Sequence, residues 1–324
     1  MHVIPDVSVI IPTFNGRRFI GDTISSCTKQ GGNHFTVEVV VVDDASTDET
    51  PKCVEAVVGP IRLLRFSSNR GRSAARNEGL DNARGGYVKF LDHDDILEPN
   101  TLRTEWEIAK EHNADIVVAG HRVVYTDRCG RTVTVSERLA PPEMEPRFDA
   151  VLAGRAVPTS AALYRRSHIQ HLRWDPNIPR LDDWDWFVQA SLLMGKIVPA
   201  NHVSYSWRHH DSQYSAGSSL LQYAIDHHCV LGKIESFLRE NGELTTARKR
   251  RLAQYYYKEL RVLCVHDRNA FEKAAAHILD LDPQFAPRDE ERQPLMRFLG
   301  RLIGFRAAVL LHTKVKRMVK GAAS

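Results

Sequence analysis

The sequence predicts an α/β protein built on a mostly parallel nucleotide-binding sheet flanked by helices, followed by a helical C-terminal subdomain. Three observations predict it. Residues 7–11 (VSVII), 37–42 (VEVVVV) and 87–91 (YVKFL) are strand-length runs that are almost wholly apolar, as in strands covered on both faces. Segments of helical periodicity separate these runs, and that alternation is the pattern of parallel pairing through crossover helices. Beyond residue 215 the strand-like runs stop and only helical patterning remains. The expected division is therefore an α/β domain over 1–215 and a helical region over 216–324.

Taken in order, strand 7–11 runs into the turn residues Pro12, Thr13, Phe14, Asn15 and Gly16. A helix over 17–30 follows, with Phe19, Ile20, Ile24 and Cys27 on one face. Strand 37–42 ends in Asp43, Asp44, Ala45, Ser46, Thr47 and Asp48, which offer helix caps and exposed carboxylates. Helix 50–58, strand 61–66 and helix 71–83 lead to strand 87–91. That last strand delivers Asp92, Asp94 and Asp95 within four residues, with His93 between them and Pro99 closing the loop. Carboxylates this close repel one another unless a cation or hydrogen-bond donors hold them ionised. A hard divalent ion that keeps positions open for phosphate oxygens suits them; an acidic surface turn is the plain alternative.

In sheets of this kind ligands bind beyond the carboxyl ends of the strands. Thr13, Asp43, Asp44, Asp92 and Asp94 all stand at such ends and are expected to converge on one crevice. The design is nucleotide-binding but not dinucleotide-binding: no G-x-G-x-x-G follows the first strand, and no G-x-x-x-x-G-K-[ST] occurs anywhere. Phosphate must then be held by metal and side chains.

Composition narrows the class further. With 43% hydrophobic and 26% charged residues, the 324-residue chain reads as an ordinary soluble protein. Five scattered cysteines without a C-x-x-C argue for reduced thiols and a cytoplasmic location. Residues 1–6 lack the pattern of a signal peptide, and no run of eighteen apolar residues exists to span a bilayer. The net charge of +4 is uneven, because residues 292–324 hold eight Arg and Lys and no acid, which leaves the remainder negative. The basic character thus belongs to a tail, and no nucleic-acid partner is expected.

The segments VSVIIPTFNG, VVVDDASTDET, NRGRSAARNEG and VKFLDHDD, in this order, resemble a family-2 glycosyltransferase of the GT-A fold. LDDWDWFVQA (181–190) is similar to the family's E-D-x-D-x-W segment, and WRHHDSQYS (207–215) to its Y-R-x-H-x-x-x-x-S segment. The resemblance covers roughly 5–215. It implies a nucleotide-diphosphate sugar donor, with a UDP-sugar first, and a glycan or glycolipid acceptor. By it, Asp44 meets the nucleotide base, unless it merely caps a helix, and Thr13 lines the base pocket largely through its backbone. Arg72 meets base or phosphate, whereas Arg76 is set aside as a candidate solvated helix charge. Asp92 and Asp94 form the D-x-D pair: Asp92 serves the ribose or the metal shell, and Asp94 ligates Mn²⁺ or Mg²⁺. The ion would stabilise the departing diphosphate more in the transition state than in the ground state. Asp183, second of the 182–183 pair, becomes the general base that takes the acceptor proton. Asp182 stands where the family has Glu. His210 completes the metal or diphosphate shell or is structural, and Arg208 holds the loop or the phosphates. Trp184 and Trp186 stack on a sugar or pack in the core.

Q-x-x-R-W at 170–174 matches a signature of processive polysaccharide synthases, but it precedes Asp183 instead of following it. The membrane helices of those synthases are missing as well, and the match reads as coincidence; the family resemblance and the basic tail imply one-residue transfer in surface glycan or glycolipid synthesis. A processive synthase of the same fold and a catalytically silent nucleotide-sugar-binding protein are the rivals. Past the linker SAGSS (215–219), helices are expected over 220–239, 245–264 and 270–281. Residues 295–319 mix Leu, Ile, Phe and Val with basic residues. They suit either a helix lying on an anionic membrane, which would make the protein peripheral, or the packed rim of the helical region.

Overall fold

The computed structural model describes residues 4–32, 34–126, 132–140, 151–152, 157–210, 219–287 and 304–311. The chain divides into two compact units, Met1–Ala216 and Gly217–Ser324. In the first, β1 (Val7–Thr13) and β2 (Val37–Asp43) are buried along their whole length, as their apolar runs require. β1 pairs in parallel with β2 on one side and with β4 (Tyr87–Phe90) on the other, and β2 pairs in parallel with β3 (Ile61–Arg65). The crossovers are α1 (Ile20–Thr28), α2 (Thr50–Glu55) and α3 (Arg72–Asn82). These elements fall where the patterning puts them, with shorter ends for α1 and α2.

The sheet then continues through strands that periodicity does not announce, with the helix that the sequence opens at Asp182 among them. β5 (Ile96–Leu97), α4 (Thr101–Glu111), β6 (Ile116–Thr126) and β7 (Thr132–Arg138) come next. They are followed by β8 (Ala162–Arg165), α5 (Arg166–Ile169), α6 (Asp182–Leu192) and β9 (Ile197–His209). The strand order is β3-β2-β1-β4-β8-β6-β9-β5, with β7 added beside β6. β8 is antiparallel to both β4 and β6, while β6 and β9 run parallel over most of their length. The ends of β1, β2, β4 and β9, with the first turns of α3 and α6, carry the candidate residues.

One close approach fixes α3 on the sheet. A Cβ at Gly79 would stand 2.3 Å from Ile10 Cγ2 and 3.4 Å from Val42 Cγ2. The glycine lets the helix sit against β1 and β2, which sets the height of Arg72 and Arg76 over the strand ends. Overpacking a core costs about 1–3 kcal/mol, and the helix propensity of alanine returns about 1 of that. Gly79→Ala should therefore lower Tm by a few degrees in thermal denaturation; an unchanged Tm would mean that α3 can lift freely.

A buried ion pair lies beneath the acidic turn. Lys89, in the middle of β4 and fully buried, places Nζ 2.6 Å from Glu105 Oε2 of α4 and 2.6 Å from Ser204 Oγ of β9. Burial pulls the Lys89 ammonium below its usual range, and the Glu105 charge opposes that shift. Ser204 in turn donates to Glu105 Oε1 at 2.6 Å, so three elements share one polar knot.

The second unit contains α7 (Leu220–Glu240), α8 (Thr246–His266) and α9 (Arg268–Leu281). Helix 305–311 follows, with Phe305, Ala308 and Val309 buried; the Phe305 ring lies 5.0 Å from Phe285 and 5.9 Å from Tyr257. This described part of the basic tail packs on its own unit. The rest of the expected membrane-facing segment, 295–303 and 312–319, lies outside the described residues. No helix among the described residues is long and apolar enough to cross a membrane.

Candidate active site

Thr13, Asp44, Arg72, Asp92, Asp94 and His210 all line one cavity of about 670 Å³, a size suited to a small ligand. They come from the ends of β1, β2 and β4, the start of α3 and the residue after β9. The expected crevice at the strand ends is there.

Asp44 is braced from the loop ahead of α3. Its Oδ1 accepts the Arg70 N–H at 2.6 Å, and its Oδ2 accepts the Gly71 N–H at 2.8 Å. The carboxylate thus holds the entry to α3, at the left-handed Gly71 (φ 86°), and does not cap α2. Ala45 takes a left-handed φ of 62°, which is strained for a residue with a Cβ and turns Asp44 back toward the cavity. Asp43, fully buried, accepts the Ser46 N–H at 3.0 Å and pairs with Arg65 at 3.0 Å. It shapes the loop and does not line the cavity. Thr13, 2% exposed, accepts the Asp44 N–H on its carbonyl at 2.8 Å, so its backbone joins β1 to the Asp44 loop.

At the end of β4 the acidic turn is clamped by the chain leaving β9. Arg208 donates through Nε to the Asp94 carbonyl and through Nη2 to Thr23 Oγ1 at 2.9 Å. Arg208 therefore holds the loop. Its guanidinium also lies over the Phe19 ring, 4.9 Å from the centroid. His210 presents Nε2 to Asp94 Oδ2 at 2.9 Å, and its ring packs 4.4 Å from Phe19. Among the described residues no cluster of three His, Cys, Asp or Glu could hold a metal by itself. The Asp94–His210 pair nevertheless fits a divalent ion that takes one or two protein ligands and fills its shell with phosphate oxygens and water. Asp95 is buried beside this pair, and burial, together with the Asp94 and Asp92 charges, raises its carboxyl well above the usual range.

The centre of the arrangement is Arg76, which corrects one expectation. It is not a solvated helix charge but 1% exposed, with its guanidinium 4.4 Å over the Trp174 ring. Nη1 donates to Asp182 Oδ2 at 2.7 Å and Nη2 to Asp92 Oδ1 at 2.7 Å, while Asp183 Oδ1 lies 3.9 Å from Nη2. One buried cation thus joins the acidic turn of β4 to the acidic first turn of α6. Its neighbouring carboxylates outweigh burial and hold it firmly protonated. Asp182 is fully engaged, because its second oxygen accepts from Arg72 Nη2 at 2.7 Å.

Asp183 differs from Asp182 in every respect. Its side chain is 38% exposed and accepts from Thr159 Oγ1 at 2.6 Å. Partial desolvation of this half-buried carboxyl and the nearby Asp182 charge push it up to about 6, against the pull of Arg76 and Thr159. A carboxylate poised there accepts a proton near neutral pH. Asp183 does not line the cavity itself; Arg76 is its link to Asp92.

The two tryptophans considered for sugar stacking belong to the core. Trp186 is fully buried and stacks on Trp174 with centroids 4.6 Å apart and planes at 1°. Trp184, 4% exposed, donates to the Val151 carbonyl at 3.3 Å. The Q-x-x-R-W stretch therefore contributes its Trp to the platform that carries Arg76. Thr159 was not legible from sequence, since a lone Thr in a short 3₁₀ turn carries no motif. Arg76 had a signal in its place within GRSAAR, but no local pattern reveals a partner 106 residues away.

The Glycosyl transferase family 2 model matches residues 8–173, half of the chain. The chain belongs to glycosyl transferase family 2. Over 125 residues it is 42% identical to the succinoglycan biosynthesis protein ExoO of Rhizobium meliloti, covering 38% of this chain and 35% of that protein. Over 120 residues it is 36% identical to the poly(ribitol-phosphate) beta-N-acetylglucosaminyltransferase TarP of Staphylococcus aureus, covering 36% and 37%. These matches span little more than a third of each relative. The fold is also that of the S. aureus TarS fragment 1–349 solved with UDP-GlcNAc. The TM-score is 0.66 at 20% identity, covering 95% of this chain and 88% of that one. The mixed α/β fold of this family-2 chain is thus of the GT-A type.

Proposed function

We propose that this family-2 chain is a metal-dependent, inverting glycosyltransferase. It moves a sugar from a nucleotide-diphosphate sugar to a hydroxyl of a glycan or lipid-linked acceptor in surface polysaccharide synthesis. The observation that carries the reading is the single buried Arg76 that joins Asp92 of the D-x-D turn to the Asp182–Asp183 helix start. A donor phosphate site and a proton acceptor are thereby held as one unit. Uridine stands first among the nucleotides because a protein of the same fold was solved with UDP-GlcNAc. ExoO, named for succinoglycan biosynthesis, supports a polysaccharide product.

In this mechanism Thr13 and Asp44 bound the base end, Arg72 and Asp92 orient the ribose and diphosphate, and Asp94 with His210 would hold Mn²⁺ or Mg²⁺. Once bound, such an ion neutralises charge on the leaving diphosphate. Asp183 takes the acceptor hydroxyl proton as the oxygen attacks the anomeric carbon. The bond from that carbon to the diphosphate oxygen breaks on the opposite face, its electron pair leaves with the diphosphate, and configuration inverts. Asp182 cannot substitute, because both of its oxygens are committed to arginines.

A thermal-shift screen of nucleotide sugars with and without Mn²⁺ tests the reading. One nucleotide sugar should raise Tm by several degrees, as expected for ligand well above its Kd. EDTA or Asp94→Ala should remove most of that gain. Full stabilisation by the donor in EDTA would exclude the metal role, and no stabilisation by any nucleotide sugar would exclude the donor.

A further inference from the structure

The β6–β9 pair carries a row of rings on one face that no role so far uses. His121 stands opposite Tyr205 in register, Val123 opposite Trp207, and Tyr125 opposite His209. Side chains alternate along a strand, so 205, 207 and 209 share a face with 121, 123 and 125. The other face of β9 is engaged below: Ser204 bonds Glu105, Ser206 bonds Glu98 and Arg208 bonds Thr23. The row begins buried and ends open. Tyr205 is 3% exposed with its ring 5.9 Å from His121, whereas Trp207 is 37% and Tyr125 41% exposed. Its far end, His209, directly precedes His210 of the donor cavity. At its near end, burial foremost and the carboxylates of Asp95, Asp183 and Asp92 raise the Tyr205 hydroxyl well above its usual range.

We infer that the exposed Trp207–Tyr125 face is the acceptor subsite, where the apolar faces of sugar rings in the acceptor glycan stack while a hydroxyl reaches Asp183. This rests on the glycosyltransferase reading above. The chemistry selects the occupant. Exposed Trp and Tyr offer flat apolar area with a polar edge, which matches the CH-rich face and hydroxyl rim of a pyranose. The open end of the row borders the donor cavity through His209 and His210, so a chain lying on it would present its end to the reaction. An acceptor held on a sheet face keeps its position better than one held by loops alone.

The test uses the full chain and two defined oligosaccharides, cellotetraose and chitotetraose, by calorimetry and by tryptophan fluorescence, with UDP affinity followed in parallel. At least one tetrasaccharide should bind and shift the emission of the exposed Trp207. W207A and Y125A should each weaken that binding about tenfold, the scale expected for a lost stacked ring. W207F should restore binding to within a few-fold of wild type but lose the fluorescence response. Retained UDP affinity in the variants shows that the fold is intact. Wild-type binding by both W207A and Y125A, or no binding of either tetrasaccharide to the wild type, overturns the subsite. Failure of UDP and all nucleotide sugars to bind the wild type would instead overturn the donor reading.

Discussion

Asp183→Asn should reduce turnover about 10²- to 10⁴-fold while leaving nucleotide affinity unchanged. The amide keeps the shape and the hydrogen bond to Thr159 but cannot take a proton. Because the wild-type carboxyl is pushed up to about 6, kcat/KM should fall as pH drops below that value and level off above it. The variant's residual activity should lack this limb. Stability moves the other way. A carboxyl whose folded-state value lies above its ordinary 3.8 is penalised when ionised, so the native state loses stability as pH rises from about 4 to about 6. The neutral amide escapes that penalty, and Asp183→Asn should be at least as heat-stable as wild type at pH 7.5. Lost activity with unchanged or higher Tm identifies chemistry. A lower Tm, or a greater loss of turnover in Asp182→Asn, would move the base to another residue.

Arg76→Met should destabilise the protein by about 3–5 kcal/mol, the range for removing one partner of a buried ion pair. Asp182, 5% exposed, would keep only Arg72, and Asp92 would lose its anchor. Arg76→Lys should recover part of the stability but little of the activity, since one ammonium cannot span carboxylates that a guanidinium fork reaches from two nitrogens. Urea denaturation with parallel activity assays separates the two effects. A stability change under about 1 kcal/mol in Arg76→Met would show that the hub is replaceable by water.

The parallel half of the sheet was legible because β1, β2 and β4 are continuous apolar runs ending in turn residues and acids. The carboxylates that line the cavity were legible for the same reason, since strand ends deliver them. The half built from β5 to β9 was not. β7 is exposed along nearly its whole length and β9 mixes Ser, His, Tyr, Trp and Arg, so neither shows a covered strand's apolar run. Arg76 was misjudged because a lone arginine on a helix with polar neighbours is normally a surface charge. Its burial is decided by Asp92, Asp182 and Trp174, which only the tertiary fold assembles. The tryptophans show the converse. Sequence leaves Trp184 and Trp186 open between sugar stacking and core packing, and they are core, while Trp207 in the W-R-x-H segment is the exposed one.

The knot of Lys89, Glu105 and Ser204 has a consequence for how the protein reaches its working form. A strand of thirteen residues such as β9, with few apolar anchors, has several ways to lie along β6. Sliding it by one residue would withdraw Ser204 from Lys89 and Glu105 and turn His209 and Trp207 to the opposite side. It would also carry His210 away from Asp94. The buried ammonium and carboxylate tolerate only the alignment in which a hydroxyl meets them, so misaligned chains leave charge poorly satisfied in a dry interior. The same three side chains therefore act as a proofreading key for strand alignment, and a molecule that passes the check has Asp94 and His210 facing each other.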